Sequence, residues 1–186
     1  VKGITSCKDM FSGLSEICEI DLSLLDTASV SDMSYMFCGC KKLCSIDLSG
    51  FDTVSVRDMS HMFEDTGLTG INLSGFDSRC LTSMEGTFSY NDNLTSVNLS
   101  GMDLSEVNLN RCFYACKALK AVDVSGCTFS GDSDIFYLDD SGKVLFQSES
   151  GEISWDMKLM HFLTRLGYAT YKTGEAIVLV TCQIFQ

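Results

Sequence analysis

Positive charge is scarce in this chain: 13 Lys and Arg stand against 25 Asp and Glu among 186 residues, a formal net charge of −12. The deficit is shared, with nine basic against 17 acidic residues in 1–126 and four against eight in 127–186. No hidden basic face can therefore track phosphates, which excludes a nucleic-acid partner. No run of about 18 apolar residues occurs, so no membrane-spanning helix is expected. Val1 to Lys8 have neither a signal peptide's apolar stretch nor an initiating methionine, and the expectation is an excised domain or a mature product. Proline is absent, and His61 and His161 are the only histidines. With no GxSxG elbow, HExxH pair or phosphate-cradling glycine loop, no catalytic residue, enzyme activity or cofactor is expected.

Ten cysteines are present instead. An even count could form a disulfide framework in a secreted chain, but the positions argue for small buried hydrophobes. Cys40 and Cys116 each lie three residues after a recurring phenylalanine, in a slot that Leu14 fills elsewhere. Cys38, Cys40 and Cys44 form C-x-C-x3-C, which could hold a soft metal given a fourth ligand. The paired C-x2-C knuckles of zinc sites are missing, however, and no metal is expected.

The dominant signal is a repeat. The segment Thr53 to Phe63 has counterparts ending at Phe11, Phe37, Phe88 and Phe113, with spacings of 26, 26, 25 and 25 residues. A period in this range marks units that cannot bury their apolar faces alone and must stack. Nine residues past most anchor phenylalanines comes a short alternating segment: Ile20 to Leu22, Ile46 to Leu48, Ile71 to Leu73, Val97 to Leu99 and Val122 to Val124. Period two predicts strands whose aliphatics point inward and whose central Asp21, Asp47, Asn72, Asn98 and Asp123 form an outward polar ladder. Gly50, Gly75 and Gly101 are expected to permit the bend that follows.

After the bend, Val30, Met33 and Phe37, then Val56, Met59 and Phe63, then Leu81, Met84 and Phe88, and Leu109 with Phe113 recur at helical spacing. A short helix is predicted in each repeat, with Asp26, Asp52 and Asp77 as its caps. Calcium is the competing role for those aspartates, but the glycine- and aspartate-dense calcium nonapeptide is absent. The expected fold is an α/β repeat solenoid, leucine-rich-repeat-like, with parallel short strands and short helices over 1–126 in four to five turns.

The strand followed by Leu48 to Thr53, then Val56 to Phe63, with Phe37 to Leu43 from another copy, resembles the BspA-like leucine-rich repeat surface proteins over about residues 9 to 126. That resemblance implies a solenoid on a bacterial cell surface, in adhesion or host contact, and carries no catalytic motif to transfer.

From Cys127 the period stops. Ile135 to Leu138 and Lys143 to Phe146 read as a hairpin, Ser154 to Leu166 as a helix, and Tyr168 to Lys172 with Ala176 to Phe185 as a second hairpin. This β-β-α-β-β unit, 127–186, is expected to be a small C-terminal α+β cap on the open end of the solenoid.

Internal copies supply a control for binding: slots that repeat serve packing, whereas slots that vary are free for recognition. The outward strand face is small and polar, without the Trp, Tyr or Arg that anchor interfaces. The variable slots hold Tyr35, Arg57, His61, Arg79, Tyr90, Arg111 and Tyr114, the candidate contacts, with His61 expected to be exposed. The leading expectation is a non-catalytic binding or adhesion module of a bacterial surface or secreted protein. Its partner would be a protein or glycan on a host or neighbouring cell. The alternatives are a structural stalk of a larger surface protein, or a secreted or cytoplasmic effector acting through its C-terminal unit.

Overall fold

The computed structural model describes residues 3–129 and, beyond them, the strands 146–148, 151–153, 169–173 and 176–180. Five coils, one per anchor phenylalanine, lie on each other in parallel. Strands β1 (Gly70–Asn72), β2 (Ser96–Asn98) and β4 (Ala121–Asp123) form one parallel sheet, with Ile71 opposite Val97 and Val97 opposite Val122. A second parallel pair joins β3 (Asp103–Leu104) to β5 (Thr128–Phe129). A third column consists of single bridges, Ser6 to Asp32 to Asp58 to Ser83 to Asn108.

The core runs the length of this stack. Phe11, Phe37, Phe63, Phe88 and Phe113 lie face to face with successive centroids 5.4, 5.7, 5.9 and 5.4 Å apart. Each ring is the only large apolar group its slot presents to the coil above and below, so the rings stack offset and bury one another. Met33, Met36, Met59, Met62 and Met84 fill the space beside them, all fully buried. Phe51 and Phe76 form a shorter column with centroids 6.5 Å apart.

The expected α/β solenoid is overturned, because the described residues contain no helix. The segments expected to be helical are overlapping tight turns: Met36 N bonds Met33 O, Cys38 N bonds Tyr35 O, and Cys40 N bonds Phe37 O. The cause is the backbone two residues before each anchor, where Asp9, Tyr35, His61, Gly86 and Arg111 all have φ between 56° and 60°. Two residues after the anchor, Gly13, Gly39, Asp65, Tyr90 and Ala115 are left-handed as well. A left-handed residue every fourth position ends any right-handed helix and costs about 1–2 kcal/mol where a Cβ is present. The return is intercoil bonding: the amides of Met33, Tyr35, Phe37 and Gly39 donate to the carbonyls of Asp58, Ser60, Met62 and Glu64 at 2.8–2.9 Å, and the pattern recurs in each pair of coils.

With no helix to cap, the aspartates act otherwise. Asp26, Asp52, Asp77 and Asp103 each accept through Oδ1 from the amide two residues on, closing Asx turns. Asp21, Asp47, Asn72, Asn98 and Asp123 do the same to Ser23, Ser49, Ser74, Ser100 and Ser125 at 2.8–3.0 Å. Asp32, Asp58 and Asn108 form a third such column. Nine of the 17 acidic residues in 1–126 are thus turn-forming, so the chain's acidity is in large part structural.

Two smaller expectations also change. Among the glycines expected to make the bend, Gly101 has φ 80°, whereas Gly50 and Gly75 lie outside the left-handed region with open space where a Cβ would go. Leu24, in the same slot, stands 83% exposed, which shows that the bend tolerates a side chain. The segments at Ile20 to Leu22 and Ile46 to Leu48 pack their aliphatic side chains on the core but are not strands.

Near the C-terminus β6 (Phe146–Ser148) pairs antiparallel with β7 (Gly151–Ile153), and β8 (Ala169–Thr173) with β9 (Ala176–Val180). The segment expected to hold the second hairpin contains β8 and β9. The strand expected at 135–138, most of that at 143–146 and the helix at 154–166 lie outside the described residues.

Candidate binding surface

The five residues in the left-handed slot before each anchor follow one another along the stack, with Asp9 and Arg111 exposed, Tyr35 and His61 half-buried and Gly86 buried. The Tyr35 phenol and the His61 imidazole lie flat against each other, centroids 4.6 Å apart and planes 11° from parallel. Lys8 Nζ sits 5.9 Å from the Tyr35 ring centroid on the preceding coil. His61 Nδ1 meets Glu64 Oε2 at 2.6 Å. On the next coil the slot is Gly86, and a Cβ there would come within 2.6 Å of the imidazole. His61 is therefore half-buried between Tyr35 and the Gly86 backbone, not exposed as expected. Burial, followed by the nearby Glu64 carboxylate, pushes the Tyr35 phenol above its ordinary range.

A second group follows along the stack. Tyr90 and Tyr114 meet edge to face with centroids 5.3 Å apart, and the Arg111 guanidinium lies 5.8 Å from the Tyr114 ring centroid. Tyr90 is 50% exposed, the most open aromatic ring among the described residues that a partner could cover. Ion pairs flank these groups, Lys41 with Asp65 at 2.8 Å and Lys117 with Asp92 at 3.0 Å.

Of the seven candidates, the structure gathers Tyr35 with His61, and Tyr90 with Arg111 and Tyr114. Arg79 is engaged by Asp77 through Nε and Nη2 at another corner of the coil. Arg57 is exposed next to the bridge residue Asp58, and neither arginine joins the ring contacts. Glu64 and Glu85 were not foreseen; Glu64 holds His61, and Glu85 accepts from Asn108 Nδ2 at 3.0 Å. Their signal in the sequence was an acidic residue three positions after the variable slot for Glu64 and one position before it for Glu85. The polar ladder Asp21, Asp47, Asn72, Asn98 and Asp123 runs along the sheet, occupied by its own Asx turns.

Beneath the surface, the slot three residues after the second to fifth anchors, Cys40, Thr66, Asn91 and Cys116, is a second, internal column, whereas Leu14 on the first coil is exposed. Cys40 Sγ donates to Phe11 O, Asn91 Nδ2 to Phe63 O and Cys116 Sγ to Phe88 O. Each of these side chains satisfies a carbonyl of the preceding coil. Burial pushes the Cys116 thiol up to about 12, and burial with the Glu64, Asp65 and Asp9 carboxylates pushes Cys38 up to about 11. No disulfide and no cluster of metal-ligating groups occurs among the described residues. Nor does any helix long and apolar enough to cross a membrane.

These features define a repeat protein of parallel stacked coils that carries a variable aromatic and charged strip on a fixed backbone. More particularly, the chain belongs to the family described as Mycoplasma protein of unknown function, DUF285, whose family model matches residues 5–126. Neither a curated protein nor a solved structure matches it.

Proposed function

We propose that this protein is a non-catalytic binding module of a surface or secreted protein, which recognises a protein or glycan partner through the strip formed by Tyr35, His61, Tyr90, Arg111 and Tyr114. The observation that carries the reading is the left-handed column, where the backbone is the same in every coil while the side chain changes from Asp9 to Tyr35, His61, Gly86 and Arg111. Backbone geometry is met by all five, so variation there is free to serve contact. Tyr and Arg are the residues that most often anchor interfaces, and rings held by stacking lose little entropy on binding. The resemblance of residues 9 to 126 to BspA-like surface proteins supports display outside the cell.

The test is saturable binding of the 186-residue chain to panels of matrix proteins, cell-surface proteins and glycans, with a Tyr90→Ala/Tyr114→Ala/Arg111→Ala variant as control. A partner bound by the parent and lost by the variant supports the reading. Absence of saturable binding, or binding that the variant retains in full, overturns it.

A further inference from the structure

We infer that Cys18 and Cys44 are a thiol pair on the surface of neighbouring coils that closes to a disulfide, a modification site independent of the proposed binding strip. Both are free and exposed, whereas Cys7, Cys40, Cys112, Cys116 and Cys127 are buried. They stand 26 residues apart, the same spacing as the Phe11 and Phe37 rings that stack seven residues earlier.

The register between these two coils is held on both sides of the pair. Before it, Gly13 N bonds Cys38 O at 2.7 Å, and Glu16 Oε2 meets Lys42 Nζ at 2.5 Å. After it, Thr27 Oγ1 on the first coil accepts from the Asp52 amide on the second at 2.8 Å and donates to its carbonyl at 3.0 Å. In later coils the same slot is a direct column: Thr69 N bonds Cys44 O at 3.3 Å, and Thr95 N bonds Thr69 O at 2.9 Å. Coils stacked in this way are about 4.8 Å apart. A disulfide needs Cα atoms roughly 4.4–6.8 Å apart, so equivalent positions in adjoining coils fall inside its range. No other two cysteines among the described residues occupy the same slot in consecutive coils.

The chemistry requires an external oxidant, here a low-molecular-weight disulfide. One thiol of the pair gives its proton to water, and the thiolate attacks a sulfur of the external disulfide, which releases the first small thiolate. The second protein thiol, deprotonated in turn, attacks the mixed disulfide and releases the other. Two protein thiols are oxidised and one external disulfide is reduced to two thiols. The product ties the half-buried first coil to the second and closes a long loop of chain, which restricts the unfolded state.

Reduced protein is incubated with oxidised glutathione, blocked with iodoacetamide and mapped by peptide mass spectrometry. One cross-linked peptide joining Cys18 to Cys44 is expected, with an intact mass lower by two hydrogens. Cys18→Thr and Cys44→Thr, which introduce the residue that Thr69 and Thr95 place in this slot, should each abolish the cross-link and leave a single glutathione adduct. The oxidised parent should also melt at a higher temperature than either variant. Two separate glutathione adducts with no cross-link, or a cross-link running instead through Cys80 or Cys182, would overturn the assignment.

Discussion

The hydroxyl of Thr27 holds both backbone polar groups of Asp52 on the neighbouring coil, accepting from its amide at 2.8 Å and donating to its carbonyl at 3.0 Å. Thr53 makes the same pair of bonds to Asp77. Both threonines are almost wholly buried, so these bonds have no water to replace them. Thr53→Val keeps the shape and strands the Asp77 amide, with an expected loss of about 1–3 kcal/mol in urea-induced unfolding. Thr53→Ser keeps the hydroxyl and should lose less.

Phe63 is fully buried between Phe37 and Phe88, and truncating it opens a cavity in the middle of the column. Phe63→Ala should cost about 3–5 kcal/mol. The same change at Phe11, which is half-buried on the first coil, should cost clearly less in the same denaturation series.

Two glycines should respond in opposite directions. A Cβ on Gly67 would lie 2.4 Å from Lys41 O, because the turn from Phe63 to Leu68 is one residue shorter than its counterparts and brings the two coils' backbones close. Gly67→Ala should destabilise by about 1–3 kcal/mol through forced backbone movement. Gly50 has open space at its Cβ and no left-handed φ. Gly50→Ala should therefore gain about 0.4–1 kcal/mol by restricting the unfolded chain. Paired thermal melts of the two variants check the contrast.

Acid should weaken the stack through its Asx turns. A side-chain bond from Ser23 holds Asp21 below its ordinary 3.8, the Ser49 amide does so for Asp47, and side-chain bonds from Arg79 and from Thr128 lower Asp77 and Asp103. A carboxyl whose folded value is depressed stabilises the fold above the unfolded value, and that stability is lost as pH falls from about 4 through the lower folded value. Asp47→Asn, which copies Asn72 and Asn98, should be close to neutral at pH 7 and should flatten the acid limb of the melting profile.

The buried Cys116 and the half-buried Cys38 should act at the alkaline end. Cys116, raised to about 12, and Cys38, raised to about 11, resist ionisation in the folded chain but not in the unfolded one, whose thiols have the ordinary value of 9.0. Their contribution is complete below pH 9 and is lost as pH rises toward 12. At pH 8, iodoacetamide should label Cys18 and Cys44 well before Cys112 and Cys116, which quenched-flow peptide mapping would resolve.

The repeat and the column of phenylalanines could be read from the chain because one aromatic recurs at a fixed spacing while its surroundings drift. The absence of helix could not be read from the same evidence. Val56, Met59 and Phe63 have the spacing of a helical stripe, yet an apolar stripe records only which side chains are buried. The information lay in the slot two before the anchor, where Asp9, His61 and Gly86 are residue types that accept a positive φ, while Tyr35 and Arg111 concealed the pattern. The stacked ring pair of Tyr35 and His61 was equally hidden, since it depends on a turn geometry that brings residues 26 apart into contact. The Asp and Asn positions were visible as columns, but their Asx-turn role was masked by the helix expected to follow them.

The central claim is that residues 3–129 are held by bonds from coil to coil and not by helices within each coil. Nuclear Overhauser contacts on isotope-labelled protein test it directly. The account predicts ring contacts from Phe37 to Phe63 and from Phe63 to Phe88, with amide contacts from Tyr35 to the Ser60 region. A continuous series of i to i+3 contacts from Val56 through Phe63, without those coil-to-coil contacts, would contradict it.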